Sequence, residues 1–243
     1  MQTPSSIEIA LRRAPLFCDL APEVLQSLSE EVTSHSFASG DFLFEAGGSP
    51  DYLHVLMEGT VKMTTGKLGG RESVIELLQP VDCFLMAAVL TSKPYLMSAQ
   101  AIDSVRVLTI PATLLRRLVS HEPQLALTMI ASLSNQYRQM VRHVKDLRLR
   151  TAAQRLGIYL LGLAEKVGSR DTLSLPFVKK LIAARLNMTP ESMSRAILSL
   201  RDNGVDIFED EVHIHDIDAL RRFCKVDNIL DELDEEFFVL TDR

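Results

Sequence analysis

Tryptophan is absent from the 243 residues, aromatic side chains make up only 6%, and the three cysteines, Cys18, Cys83 and Cys224, are widely separated with no C-x-x-C. That pattern offers neither a disulfide framework nor a zinc site, and buried thiols are the expectation. No run approaches the roughly 18 uncharged apolar residues needed to cross a bilayer. The opening MQTPSSIEIALRRAP lacks the continuous apolar core and small-residue cleavage site of a signal peptide. A cytoplasmic protein with no membrane partner is therefore expected. Walker A, G-x-G-x-x-G after a strand, H-E-x-x-H and G-x-S-x-G are also missing, so no catalytic residue is assigned and an enzyme is not expected.

What is present suits two domains with real cores: 47% hydrophobic and 24% charged residues. The net charge of −6 is unevenly spread. Residues 225–243 hold seven acids and two bases, whereas residues 138–155 hold six bases and one acid. Attraction to phosphate depends on local field rather than total charge, so the overall sign does not exclude a nucleic-acid partner.

The most legible stretch is residues 175–204, LPFVKKLIAARLNMTPESMSRAILSLRDNG. Pro176 suits the first position of a helix whose apolar face is Ile182, Ala183 and Leu186. Asn187 tolerates a left-handed turn, Met188 plugs the corner, and Thr189-Pro190 is an N-cap followed by proline at the first helical position. In the second helix Met193, Ala196, Ile197 and Leu200 turn inward while Glu191, Ser192, Ser194 and Arg195 crowd the outer face, and Asn203-Gly204 supplies a stop. Two helices joined in this way form a helix-turn-helix. The N-terminal end of its second helix is the part that reaches base edges in the DNA major groove. A helical hairpin serving protein assembly is the competing reading of the same pattern.

The run Glu191-Ser192-Met193-Ser194-Arg195 resembles the E-x-x-S-R signature of the Fnr branch of the Crp/Fnr transcription regulators. The longer phrase around it resembles the Dnr and NnrR type of that family. The resemblance implies that Glu191, Ser194 and Arg195 read bases of a palindrome with TTGAT-like half-sites in double-stranded DNA. Lys179, Lys180, Thr189 and Ser192 are placed for phosphate oxygens. RNA polymerase is the expected further partner.

Toward the N-terminus, short apolar runs containing Phe37, Phe42, Phe44, Tyr52, Val55, Val61 and Met63 are punctuated by Gly40, Gly47, Gly48, Gly59, Gly66, Gly69 and Gly70, as in an all-β roll or barrel. By order and glycines this half resembles the cyclic-nucleotide-binding β-roll of Crp/Fnr proteins. Such domains hold the cyclic phosphate with a Gly-Glu turn and an Arg-Ser pair; here Leu85-Met86 and Met97-Ser98 stand in those places. A diester would be stranded against apolar walls, so no cyclic nucleotide is expected. Cys18 alone in the N-terminal region is too few thiolates for an iron–sulfur cluster. The resemblance to Dnr and NnrR implies nitric oxide as a small uncharged effector, with haem as the group that receives it. An axial ligand would come from His35, His54, His121, His143, Met86 or Met97, and the sequence does not choose. A thiol switch at Cys83 and a regulator without effector are alternatives; Cys83 has no cation nearby to activate it.

From Pro123 the chain reads as one long helix in which Ala126, Ile130, Leu133, Tyr137, Met140, Val144 and Leu147 recur at spacings of four and three. That heptad seam predicts a parallel homodimer, which would present two recognition helices to two half-sites. After the helix-turn-helix, residues 205–208 and 212–215 alternate about Glu209-Asp210 as a hairpin, making the motif winged. The expected fold is thus α+β: a β-roll sensor with N-terminal helices over 1–122, a dimerisation helix over 123–150, a winged helix-turn-helix over 151–224, and an acidic tail over 225–243.

Overall fold

The computed structural model describes residues 5–226 apart from 69, 70, 170 and 177. The acidic tail beyond Val226 lies outside the described residues. The chain divides into two compact units at Tyr137/Arg138, within the long helix rather than at either of its ends.

In the first unit, two short helices, α1 (Ser6–Arg13) and α2 (Pro22–Glu31), precede the strands β1 (Thr33–Phe37), β2 (Phe42–Phe44), β3 (Tyr52–Glu58), β4 (Val61–Leu68), β5 (Arg71–Leu78) and β6 (Cys83–Phe84). A six-residue helix α3 (Met86–Thr91), strands β7 (Ser98–Ala101) and β8 (Val105–Pro111), helix α4 (Ala112–His121) and the start of α5 (Pro123–Leu149) follow. The strands form two antiparallel four-stranded sheets, ordered β1-β8-β3-β6 and β2-β7-β4-β5. The expected β-roll is present. Helices α3 and α4 were not legible in the sequence, and α4 is cut from α5 at Glu122-Pro123, where proline opens a new helix.

Strand β3 separates two cores by its period of two. Leu53, Val55 and Met57 join a core with α1, α2, α4, Leu125 and Met129. Leu56 on the other face joins Val61, Met63, Phe84, Ala99 and Val107 inside the roll. Gly59 carries the chain from β3 to β4 at φ +81°, and a Cβ there would lie 2.3 Å from the Ser104 carbonyl oxygen, so only glycine fits the turn.

The second unit contains the rest of α5, then α6 (Ala152–Val167), β9 (Thr172–Ser174), α7 (Lys179–Arg185), α8 (Pro190–Arg201), β10 (Val205–Phe208), β11 (Glu211–Ile214) and α9 (Ile217–Cys224). Thr151 and Gln154 close a capping box at the start of α6, and Gly168 ends it at φ +67°. Helix α6 is the centre of this core: Leu156, Leu160, Leu161 and Leu163 are buried together with Ile182, Met193, Leu200 and Leu220. The wing has three strands in the order β10-β11-β9; the sequence suggested only the hairpin, because a three-residue strand has no period to read. Its second strand begins at Glu211, one residue earlier than expected.

Candidate DNA-recognition and effector sites

Helix α7 begins at Lys179, so Pro176 is not at its first position as the sequence suggested. The Leu175 N–H is held by the Asp210 carbonyl of the wing turn at 2.7 Å, which ties the chain to the wing just before Pro176. Lys179 is half-buried and Lys180 exposed. The turn to α8 matches the reading of Asn187, which sits at φ +50° with Met188 buried beneath it. Thr189 caps α8, its Oγ1 accepting the Ser192 N–H at 3.2 Å.

Glu191, Ser194 and Arg195 are exposed on the first turns of α8, while Met193 and Ala196 face the core. The Arg195 guanidinium donates to Ser192 Oγ at 3.4 Å, and Ser194 donates to the Pro190 carbonyl at 3.1 Å. These contacts are local, so the side chains can turn outward without breaking the fold. The wing turn instead exposes Glu209, Asp210 and Glu211. Among the described residues, the wing turn therefore adds negative rather than positive field at this surface.

One contact within this unit has no sequence signal. Arg155, on α6, donates through Nη1 to the Arg150 carbonyl at 3.0 Å, through Nε to the Leu186 carbonyl at 3.2 Å and through Nη2 to the Asn187 carbonyl at 3.5 Å. These three acceptors are backbone atoms, and in the sequence Arg155 is one base among the six of residues 138–155.

In the first unit, Leu85 adopts φ +74° and ψ 13° at the entrance to α3. That conformation favours glycine and costs a leucine roughly 1 to 2 kcal/mol. Glycine adopts this left-handed conformation without that penalty. Leu85 and Met97 both pack against the inner core of the roll. Ser98 Oγ accepts the Ala46 N–H at 2.9 Å.

His54 is the notable polar group of this face. It is 6% exposed, its ring stacks on Phe84 at 5.2 Å and meets Phe44 at 5.3 Å, and no hydrogen bond of normal geometry reaches Nδ1. Burial pulls its pKa down to about 4; the Tyr52 carbonyl opposes this and His35 adds to it. A neutral imidazole is therefore held at neutral pH. The other histidines differ: His35 contacts Thr33 Oγ1 at 3.0 Å, His121 meets the Arg117 carbonyl at 2.8 Å, and His143 is half-buried with its pKa lowered by burial. Met86 belongs to the helical core rather than to the inside of the roll. Burial also raises the Cys83 thiol well above its ordinary range, the adjacent Asp82 adding to the effect.

Residues 34–122 match the cyclic nucleotide-binding domain family, and residues 154–223 match the Crp-like helix-turn-helix domain. The chain belongs to the Crp/Fnr family of DNA-binding transcription regulators. It is 24% identical to a CRP-like cAMP-activated global transcriptional regulator of Mycobacterium tuberculosis, over 80% of this chain and 88% of that one. Identity to the transcriptional activator protein Anr of Pseudomonas aeruginosa is 26%, over 82% and 87% of the two chains. The FixK2 structure from Bradyrhizobium japonicum shares the fold, with a TM-score of 0.66 at 20% identity over 79% of this chain and 96% of that one. These relatives are transcription regulators rather than enzymes.

On α5 of the regulator, Ile130, Tyr137, Met140 and Val144 are exposed, by 60%, 67%, 64% and 44%, and Leu147 is half-buried. Leu133, one of the seam residues expected from the heptads, packs partly against the core of the first unit, in line with Leu125 and Met129. Leu127 and Val141 are exposed apolar residues of the same helix that the heptad spacing omitted.

Proposed function

We propose that this regulator acts as a cytoplasmic homodimer, joined along α5, that reads a palindrome of TTGAT-like half-sites and answers to a small uncharged effector in the roll. In the proposal Glu191, Ser194 and Arg195 meet base edges, while Lys179, Lys180, Thr189 and Ser192 meet phosphates. RNA polymerase is the partner through which bound protein affects transcription. Support for a dimer comes from the exposed apolar residues of α5, whose side chains would otherwise stay in water.

The observation that carries the effector reading is at the entrance to α3. Leu85 occupies a glycine-like conformation there and packs, with Met97, where a phosphate would need N–H groups and a guanidinium. Cyclic AMP should therefore give no heat in calorimetry at micromolar concentration; tight binding would overturn this reading. Nitric oxide received by haem is the effector chemistry proposed. Among the donors considered, His54 fits best, since it is neutral, buried and without a hydrogen bond at Nδ1. Haem, when bound, would supply the iron that takes up nitric oxide; Phe44 and Phe84 shield the imidazole from water. Anaerobically purified protein titrated with haem should show a Soret band that shifts with nitric oxide and is lost in His54→Ala.

A second reading, a regulator without effector, draws on the inner face being occupied by Leu56, Val61, Met63 and Val107. Equal affinity for the palindrome with and without haem and nitric oxide would favour it. The raised Cys83 thiol argues against a redox switch.

A further inference from the structure

The last carbonyls of a helix have no intrahelical partner and carry the negative end of its dipole. In the second unit, one side chain serves two such ends. The Arg155 guanidinium reaches the Arg150 carbonyl just past α5, at 3.0 Å, and the Leu186 and Asn187 carbonyls just past α7, at 3.2 and 3.5 Å. Arg155 itself is fixed in the first turn of α6, behind the capping box of Thr151 and Gln154. One planar group thus ties together the end of α5, the start of α6 and the turn that aims α8.

We infer that Arg155 is the positioning residue that sets the spacing at which the regulator reads its two half-sites. A rotation of the helix-turn-helix about the end of α5 must lengthen at least one of the three bonds, because the guanidinium is rigid and its donors diverge in one plane. In a dimer joined along α5, that angle fixes how far apart the two α8 helices lie, and hence which centre-to-centre distance on DNA both can meet. The nearby Arg150 is engaged elsewhere, by Asp146 one turn earlier on α5 and by the Lys225 carbonyl at 3.5 Å, neither of them in the recognition turn. Partial burial lowers the Arg155 pKa, yet leaves the guanidinium charged at any working pH. A lysine at this position would keep the charge but lack the fork needed to hold two helix ends at once.

The inference rests on the dimeric, palindrome-reading function proposed above. Its test uses the full-length protein and a series of TTGAT-type palindromes with the central spacer shortened or lengthened by one base pair. Dissociation constants are measured for the unaltered protein, Arg155→Lys and, should the lysine variant fail to fold, Arg155→Gln. The unaltered protein should reject the altered spacers by roughly tenfold or more, about the effect of one charged hydrogen bond. The variants should bind the optimal spacing more weakly, accept neighbouring spacings almost equally, and keep the same base preference within each half-site. An unchanged spacing penalty, even with weaker binding, would overturn the inference and leave Arg155 as packing. Altered base preference would overturn it too, since the residue would then act on the contacts of α8. Unaltered protein that binds a lone half-site as well as any palindrome would refute the palindromic reading itself, and the role of Arg155 with it.

Discussion

Replacing His54 by leucine should remove a specific part of the protein's sensitivity to acid. The imidazole is 6% exposed, lies between the rings of Phe44 and Phe84, and has a pKa near 4 in the folded chain against 6.5 for the free side chain. The folded state therefore disfavours the protonated form. Stability from this group is fully present above pH 6.5 and is lost as pH falls from 6.5 toward 4, because the unfolded chain takes up the proton first. With those two values the loss between pH 7.5 and pH 4.5 is about 2.5 kcal/mol. Carboxylates that titrate over the same interval do so in both proteins and cancel in the difference. Urea unfolding of wild type and His54→Leu across this range, with hydrogen exchange of the β3 amides as a local probe, should show the variant gaining on wild type as pH drops. A difference constant to within about 0.5 kcal/mol would refute the reasoning and mean that the imidazole is hydrated or paired in solution.

Glu191→Ala should relax specificity at one base position more than it lowers general affinity, and Arg195→Ala should lower both, by roughly 1 to 3 kcal/mol of discrimination per half-site. Lys180→Ala should instead weaken all sequences alike and flatten the salt slope by about one unit; competition over single-base variants at two salt concentrations separates these outcomes. Met140→Glu should give a monomer by sedimentation, and is a cleaner probe of the α5 surface than Leu133→Glu, which would also disturb the core of its own unit. Gly157→Ala would place a Cβ 2.3 Å from Cys224 Sγ and should cost roughly 1 to 3 kcal/mol. Adding Cys224→Ala should recover part of that loss, so additive effects in urea unfolding would count against the close packing of α6 on α9.

Features set by neighbours along the chain are legible in the amino-acid sequence. The cap at Thr189 followed by Pro190, the left-handed Asn187 and the stop near Gly204 all depend on residues within a turn or two of one another. The expected roll followed from short apolar runs between glycines, and the wing from alternation about Glu209-Asp210, for the same reason. The tertiary structure alone decided the rest. Helix α7 starts late, after the wing turn has tied down Leu175 by a contact made across 35 positions. Helix α3 is only six residues long, and its entrance is a leucine in a conformation no propensity would assign. Leu133 shares the heptad of Met140 yet packs on its own unit, since spacing defines a helix face but not what covers it. His54 is one of six histidines in the sequence, and its burial depends on Phe44 and Phe84 arriving from two other strands. Arg155 bonds to carbonyl oxygens, which every residue carries, so its importance has no letter in the sequence.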